Sequence, residues 1–291
     1  MNEQPRRPPP VTRLDPPGGP GDDGHSVADF GRSLFRATPR LWVTAALVAA
    51  NVAVFAVQVL GFGVSPMMPD GMDLLRWGAA YGPKVVHGEP WRLLTSMFLH
   101  AGIFHIGSNM YVLWLGGRLT ERMFGNVPYL VVYMVSGLAG AMAALAFGRA
   151  GPLVGASGAV FGVFGALGGY LLVQRKSIPP DFLRSMRGQL VQFVLLNAVI
   201  SLAIPQISGW AHAGGFVMGF VAGALVARPP TAEGVRGRAL RALIVGLAAL
   251  ILLALAMVPL TRHFPVDPGV IGSPFQRRAA PENAFDDVVG R

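Results

Sequence analysis

The sequence predicts an all-α membrane protein whose chain crosses the bilayer seven times. Of its 291 residues, 52% are hydrophobic and only 13% are charged, and the mean hydropathy is +0.49. This composition is typical of a chain surrounded mostly by lipid. A bilayer core about 30 Å thick needs about 20 apolar residues per helix. The length therefore fits one polytopic domain with short tails.

Residues 1–38 are predicted to form a disordered cytoplasmic tail. They are rich in proline, glycine and charge and contain too few apolar residues to bury a core. No short apolar stretch begins within the first thirty residues, so no cleaved signal peptide is predicted. We therefore expect the first apolar helix to be retained.

Intervals without ionised residues locate the spans. Six such intervals follow the tail, and the fifth, residues 188–227, is too long for one helix. Residues 205–209 divide it, because proline removes a hydrogen-bond donor and glycine loosens the chain. The seven predicted helices cover residues 41–62, 93–116, 126–147, 153–173, 189–204, 209–227 and 240–260.

Basic residues near the helix ends predict the orientation, because they favour the cytoplasmic side of a bilayer. The net charge of +9 forms no single basic patch, which argues against a nucleic-acid partner. One set of alternate connections is much more basic than the other; it contains Arg32, Arg36, Arg40, Arg118, Arg122, Arg175, Lys176, Arg184, Arg187, Arg228, Arg236, Arg238 and Arg241. The N-terminus is therefore predicted to be cytoplasmic and the C-terminus external, with residues 63–92 forming a long external loop.

Polar residues share one depth in this topology. The second, fourth and sixth helices all run inward from the outer face. His100, His105 and Asn109 are predicted in the first half of the second helix, Ser157 near the start of the fourth, and His212 near the start of the sixth. Because polar groups inside a membrane are costly and tend to face the bundle interior or a water-filled cavity, their common depth predicts a shared site.

Glycine spacing predicts that the helices carrying Ser157 and His212 pack closely. Small residues four apart let two transmembrane helices approach closely, as a serine–histidine hydrogen bond of about 2.6–3.2 Å requires. The simpler interpretation is that these glycines serve only helix packing, but here they lie beside a hydroxyl and an imidazole. The glycines are Gly215, Gly219 and Gly223 after His212, and Gly158, Gly162, Gly165 and Gly169 beside Ser157.

This chain lacks the residues that other kinds of intramembrane protease need within their spans. No His-Glu-x-x-His pattern occurs for zinc, no pair of acids lies within the predicted spans, and the chain has no cysteine. The only lysines, Lys84 and Lys176, lie in connections. Ser157 with His212 remains as nucleophile and base.

A nucleophilic serine also needs hydrogen-bond donors for the oxyanion of its tetrahedral intermediate. His105 and Asn109 are four residues apart and share one helix face. The backbone N–H of Ser157, near a helix start, is a third candidate donor. His100 precedes His105 by five residues, so it is expected to point elsewhere and to act as a neighbouring structural group.

Together these residues resemble the motifs of the rhomboid family of intramembrane serine proteases. Gly155-Ala156-Ser157-Gly158 matches the family's GxSG, residues 211–219, including Gly215 and Gly219, match AHxxGxxxG, and His105 with Asn109 matches HxxxN. Trp91-Arg92 resembles the family's WR pair, and Glu121 its acidic residue beyond the second helix. The resemblance covers about residues 40–228.

The resemblance implies a rhomboid-like six-helix transmembrane bundle plus one extra C-terminal transmembrane helix. It implies a Ser157–His212 dyad without an acid, an oxyanion hole from His105, Asn109 and the Ser157 N–H, and neither a cofactor nor a metal. Phe161 takes the place of an aromatic residue that packs against the catalytic histidine. The implied substrates are single-pass membrane proteins, cut near the outer face of the lipid bilayer.

The expected organisation is a tail over 1–38, a protease core over 39–228, a linker with the seventh helix over 229–261, and a flexible external tail over 262–291. Richness in alanine, glycine and arginine favours a bacterial plasma membrane.

The sequence leaves two alternatives open. A non-proteolytic rhomboid-like protein that binds membrane clients would share the helices but usually lacks the serine or the histidine. A small transporter would more often contain internal repeats with broken helices, and no convincing repeat is found.

Overall fold

The chain is an all-helical membrane bundle, as the sequence predicts. The computed structural model describes residues 26–148, 151–204, 206–229 and 235–264. Most of the predicted tails, residues 1–25 and 265–291, and part of the predicted linker lie outside these described residues. Among the described residues, the extended pairing is a single antiparallel bridge between Ala80 and Leu153.

Eleven α-helices form within the described ranges. A π-helical turn, Val57–Gly61, extends α2, and a 3-10 turn, Ser96–Phe98, extends α5. In chain order the helices are α1 Val27–Ala37, α2 Val43–Ala56, α3 Gly71–Arg76, α4 Gly82–Val86, α5 Arg92–Thr95, α6 Ile103–Phe124, α7 Asn126–Phe147, α8 Ser157–Val173, α9 Pro180–Ala203, α10 Gly209–Val226 and α11 Val235–His263.

The seven long helices, α2 and α6 to α11, correspond in order to the seven predicted spans. Five of them, α2 with its extension, α7, α9, α10 and α11, are long and apolar enough to cross a membrane. Helix α8 is shorter, at 17 residues, and α6 carries charged residues near its C-terminal end. The fold is that of an integral, multi-pass membrane protein.

The predicted position of the second span, residues 93–116, is wrong by about ten residues. Residues 92–98 form the short α5 and its extension, and α6 begins only after Gly102, whose φ is 113°. The helix then continues through charged residues to Phe124. It can do so because Glu121 is satisfied by the backbone at the start of α2 and Arg122 donates to the carbonyl oxygen of Thr38.

Part of the segment predicted to be disordered, residues 27–37, forms the amphipathic helix α1. Ser26 caps it by accepting a hydrogen bond from the backbone N–H of Asp29 at 3.1 Å. Phe30 and Leu34, four residues apart, are buried on one face. Phe30 packs against Phe182 of α9, with ring centroids 5.3 Å apart. A few apolar residues at helical spacing therefore order this part of the tail against the bundle.

The predicted external loop, residues 63–92, contains α3 and α4 and packs at the end of the bundle where α6, α8 and α10 begin. We call this the upper end. Ile103 N–H donates to the carbonyl oxygen of Pro66 at 2.7 Å, and Ala80 N–H donates to that of Leu153 at 3.0 Å. The last described residue, Phe264, lies there too, since its carbonyl oxygen is 3.1 Å from Nε2 of His87.

Helix α10 packs mainly against α8 and α7. Glycines make this packing close: a Cβ on Gly219 would overlap the backbone of Gly162, and one on Gly223 would lie 2.5 Å from Cα of Ala166. The glycine stripes predicted from spacing do face each other. They set the separation of the two helices that carry Ser157 and His212.

Candidate active site

Ser157 is the first residue of α8 and lies at the upper end. The chain enters the helix through Gly155, whose φ is 123°, a conformation that favours glycine. A Cβ on Gly155 would also lie 2.8 Å from both Cε1 and Nε2 of His105. Backbone conformation and contact therefore both require glycine two residues before the serine.

His212 lies in the first turn of α10, where Ser208 caps the helix through the N–H of Ala211. Its imidazole stacks on the phenyl ring of Phe161, with centroids 3.9 Å apart and planes 9° apart. Phe161 follows Ser157 by one helical turn, and helical side chains lean toward the N-terminus. The imidazole is thus held beside the turn that carries Ser157.

The backbones of three helices meet at this point. A Cβ on Gly215, one turn after His212, would overlap the carbonyl oxygen of Gly158. A Cβ on Gly140 of α7 would lie 2.6 Å from the carbonyl oxygen of Ala211. Helices α8 and α10 are therefore in backbone contact at the turns that hold the serine and the histidine.

His105 and Asn109 both lie in the first two turns of α6. Nδ1 of His105 accepts a hydrogen bond from the backbone N–H of Ala101 at 3.2 Å, while its ring borders Gly155. Asn109 is 7% exposed, and its amide donates to the carbonyl oxygen of His105 at 2.9 Å. Helix α6 thus brings His105 to the loop before Ser157, with Asn109 one turn further along.

His100 does not lie in the second span, contrary to the prediction. It precedes α6, in the connection that ends at Gly102, and it is only 1% exposed. It also does not point away from His105: the two rings pack edge to face, with centroids 5.1 Å apart and planes 72° apart. The helical offset of five residues was misleading because the two histidines do not share a helix.

Arg92 and Trp91 organise the segment around α3 to α5. The buried guanidinium of Arg92 donates to the carbonyl oxygens of Leu75 and Ala79, at 2.6 and 3.2 Å, and pairs with Glu89. It also lies over the Trp91 ring, 4.7 Å from the centroid. These contacts hold together the upper-end segment, which pairs through Ala80 with Leu153 in the loop before Ser157.

Glu121 lies at the opposite end of the bundle from Ser157. Its carboxyl group accepts from the backbone N–H groups of Trp42, Val43 and Thr44 and from the Thr44 hydroxyl, at 2.7–3.0 Å. The first backbone N–H groups of a helix lack partners within it. Glu121 therefore caps α2 and ties it to α6.

Ser201 is the neighbour of His212 that the sequence reasoning missed. Its Oγ is 3.0 Å from Nδ1 of His212. It lies near the end of α9, whose Phe193 stacks on Phe164 with centroids 3.7 Å apart and contacts Phe161 at 5.0 Å. Its predicted depth could have indicated it, since Ser201 lies near the end of the fifth helix and His212 near the start of the sixth. A single serine in an apolar run matches no motif.

Comparisons with known proteins bear on this site. A family model described as the Rhomboid domain matches residues 87–229. The chain is 35% identical over 206 residues to RHOMBOID-like protein 1 of Arabidopsis thaliana, an alignment that covers 62% of this chain and 52% of that protein. It is 36% identical over 184 residues to Rhomboid protease GluP of Bacillus subtilis, covering 63% and 34%.

RHOMBOID-like protein 7 of Arabidopsis thaliana is 33% identical over 222 residues, with 67% of this chain and 69% of that protein covered. The chain spans about half the length of RHOMBOID-like protein 1 and about a third of the length of Rhomboid protease GluP.

Proposed function

This chain belongs to the rhomboid family, and from that premise we propose that it is an intramembrane serine endopeptidase. The observation that carries the proposal is the stacking of His212 on Phe161, one turn from Ser157. The close contact between Gly158 and Gly215 supports it, because it brings the two turns together. Residues 39–228 are the proposed protease core.

The proposed chemistry uses Ser157 as nucleophile and His212 as base. As Ser157 Oγ bonds to the carbonyl carbon of the scissile peptide, His212 takes the hydroxyl proton. The imidazolium then gives this proton to the leaving amine, and the C–N bond breaks. Water hydrolyses the acyl-enzyme by the same steps, with His212 again acting first as base and then as acid.

The contacts of His105 support its proposed role as an oxyanion donor. A backbone N–H is only a donor, so Nδ1 of His105 must accept from Ala101. The proton of the neutral ring is then on Nε2, which faces the loop before Ser157. Asn109 keeps a second amide hydrogen beyond the one that bonds His105. The backbone N–H of Ser157, in the first turn of α8, completes the proposed oxyanion hole.

The proposed substrates are single-pass membrane proteins cut near the outer face of the membrane. A peptide bond in a stable helix is shielded by its own hydrogen bonds, so the substrate must unwind locally before Ser157 can attack. The upper end of the bundle is where such a segment would enter, since Ser157 and His212 both lie in the first turn of their helices at that end.

We propose that the upper end faces outward and the N-terminus faces the cytoplasm of a bacterial plasma membrane. Exposed basic residues near the opposite end, such as Arg175 and Arg184, support this orientation. Because the chain lacks cysteine, the single variants His87→Cys and Ser185→Cys can each be labelled with a membrane-impermeant thiol reagent. We expect His87→Cys to be labelled from outside intact cells and Ser185→Cys only after lysis.

Cleavage in liposomes tests the proposed activity. The purified chain is reconstituted with a panel of single-pass proteins, and the scissile bonds are mapped by mass spectrometry. Cleavage by the parent and its loss in Ser157→Ala and His212→Ala are expected, while Ser185→Ala, a matched substitution on an exposed part of α9, keeps it. Cleavage that persists without Ser157, or a folded parent that cuts no panel member, contradicts the proposal.

A further inference from the structure

We infer that Ser201 is a positioning residue that holds His212 in the tautomer needed for catalysis. This rests on the proposed function of Ser157 and His212. The observation is the 3.0 Å separation between Ser201 Oγ and His212 Nδ1. It joins the proposed base to a helix other than the one that carries the proposed nucleophile, and it gives the imidazole a polar partner in addition to the stacked ring of Phe161.

The direction of this hydrogen bond decides whether His212 can act as a base. A neutral imidazole carries one proton, and a hydroxyl can either donate or accept. If Ser201 donates to Nδ1, the proton sits on Nε2 and His212 cannot take a proton from Ser157 there. If Ser201 accepts from Nδ1–H, Nε2 is unprotonated and free to act. Only the second arrangement is compatible with the proposed reaction, so Ser201 Oγ is assigned as the acceptor.

A hydroxyl suits this position in a membrane. In soluble serine proteases a carboxylate orients the histidine from the far nitrogen, but a charged side chain at membrane depth is costly. A serine oxygen accepts the same Nδ1–H without a charge of its own. Ser201 is half-buried, which leaves room for its hydroxyl hydrogen to turn away from the ring.

Ser201 gains and loses no proton during the reaction. Nε2 of His212 takes the proton of Ser157 as the Oγ–carbon bond forms, and the resulting imidazolium has N–H groups on both nitrogens. Nδ1–H donates to Ser201 throughout. Nε2–H then passes to the leaving amine, which restores the starting tautomer.

The aromatic contacts of α9 keep Ser201 within reach. Phe193 precedes Ser201 by eight residues, so both lie on one face of the helix. The Phe193 ring stacks on Phe164 with planes 8° apart and touches Phe161, which itself stacks on His212. The same face of α9 therefore contacts both the imidazole and the aromatic ring beneath it.

The test compares Ser201→Thr with Ser201→Val, two side chains of nearly equal shape of which only threonine has a hydroxyl. Cleavage of one panel substrate in liposomes gives kcat and KM for the parent and for both variants, and Ser185→Ala serves as a matched control. We expect Ser201→Val to lower kcat about 3- to 10-fold, the scale of one hydrogen bond, with KM within about twofold. Ser201→Thr and Ser185→Ala are expected to stay near the parent.

The inference is overturned if Ser201→Val keeps the kcat of the parent, or if Ser201→Thr loses as much as Ser201→Val. It is also overturned if the loss appears in KM alone, because substrate binding rather than proton transfer is then affected. These results differ from failure of the proposed function, in which the parent itself does not cleave or Ser157→Ala still does. Melting curves of all variants identify any that fail to fold, and Ser201→Ala replaces Ser201→Val in that case.

Discussion

Gly215 of α10 lies directly against the carbonyl group of Gly158 in α8, so closely that a Cβ on Gly215 would overlap that oxygen. Gly158 is the residue after Ser157, and Gly215 follows His212 by one turn. The distance between the proposed nucleophile and base is therefore set by a contact between two backbones. A side chain at this contact must push apart the two helices that carry them.

Gly215→Ala is expected to lower the free energy of unfolding by about 1–3 kcal/mol, the usual cost of overpacking, and to reduce cleavage more than tenfold. The reason is that the added methyl group displaces His212 from Ser157. Unfolding in detergent and cleavage in liposomes measure the two effects. Gly188→Ala is the control, because a Cβ there meets nothing within 4 Å; equal behaviour of the two variants contradicts the role of the contact.

Removing the ring beneath His212 is expected to slow the reaction of the molecules that remain folded. An aromatic stack is worth about 0.5–1.5 kcal/mol, so Phe161→Ala should lower the rate of fluorophosphonate labelling by about 2- to 13-fold or more. Phe161→Tyr keeps the stack and should label at nearly the parent rate. A Phe161→Ala variant that labels as fast as Phe161→Tyr would show that the ring does not hold the imidazole.

Glu121 is expected to matter for stability rather than for chemistry. Glu121→Ala leaves the backbone N–H groups at the start of α2 and the buried Thr44 hydroxyl without their acceptor. We expect a loss of about 3 kcal/mol in the free energy of unfolding. At a temperature where the variant is still folded, the labelling rate per folded molecule should match the parent. A folded Glu121→Ala variant with normal stability and slow labelling would contradict a role in stability alone.

Arg92 is expected to hold the upper-end segment in place. Arg92→Ala removes donors to the carbonyl oxygens of Leu75 and Ala79, and bonds to a charged group are worth about 1.5–3 kcal/mol each. Hydrogen exchange of residues 71–86, followed by mass spectrometry, should become at least about tenfold faster. Arg76→Ala breaks only an exposed pair with Asp73 and should leave the exchange unchanged; similar exchange in both variants would refute the assignment.

The sequence predicts that the turns carrying Ser157 and His212 pack together, and in the structure Gly215 does lie against Gly158. The helical period puts Gly215 on the same side as His212, and span counting puts Ser157 at the same depth. Neither signal depends on details of distant packing. The stacking of Phe161 on His212, expected from the resemblance to the family, is present in the structure as well.

The position of α6 is harder to predict because its charged side chains are hydrogen-bonded by residues distant in the sequence. Glu121 accepts hydrogen bonds from backbone N–H groups 77–79 residues earlier in the chain. No local sequence pattern predicts these partners. A charge-free interval therefore places the helix too early and puts His100 inside it. Ser201 escapes notice for a similar reason, because its significance depends on how α9 docks beside α10.

The measurement that tests the central claim most directly is mass-spectrometric mapping of the fluorophosphonate adduct on the folded protein in liposomes. A nucleophile paired with its base should give one adduct, on Ser157, which disappears in His212→Ala while the melting curve stays unchanged. An adduct on another residue, or equal labelling of Ser157 with and without the His212 imidazole, would contradict the pairing.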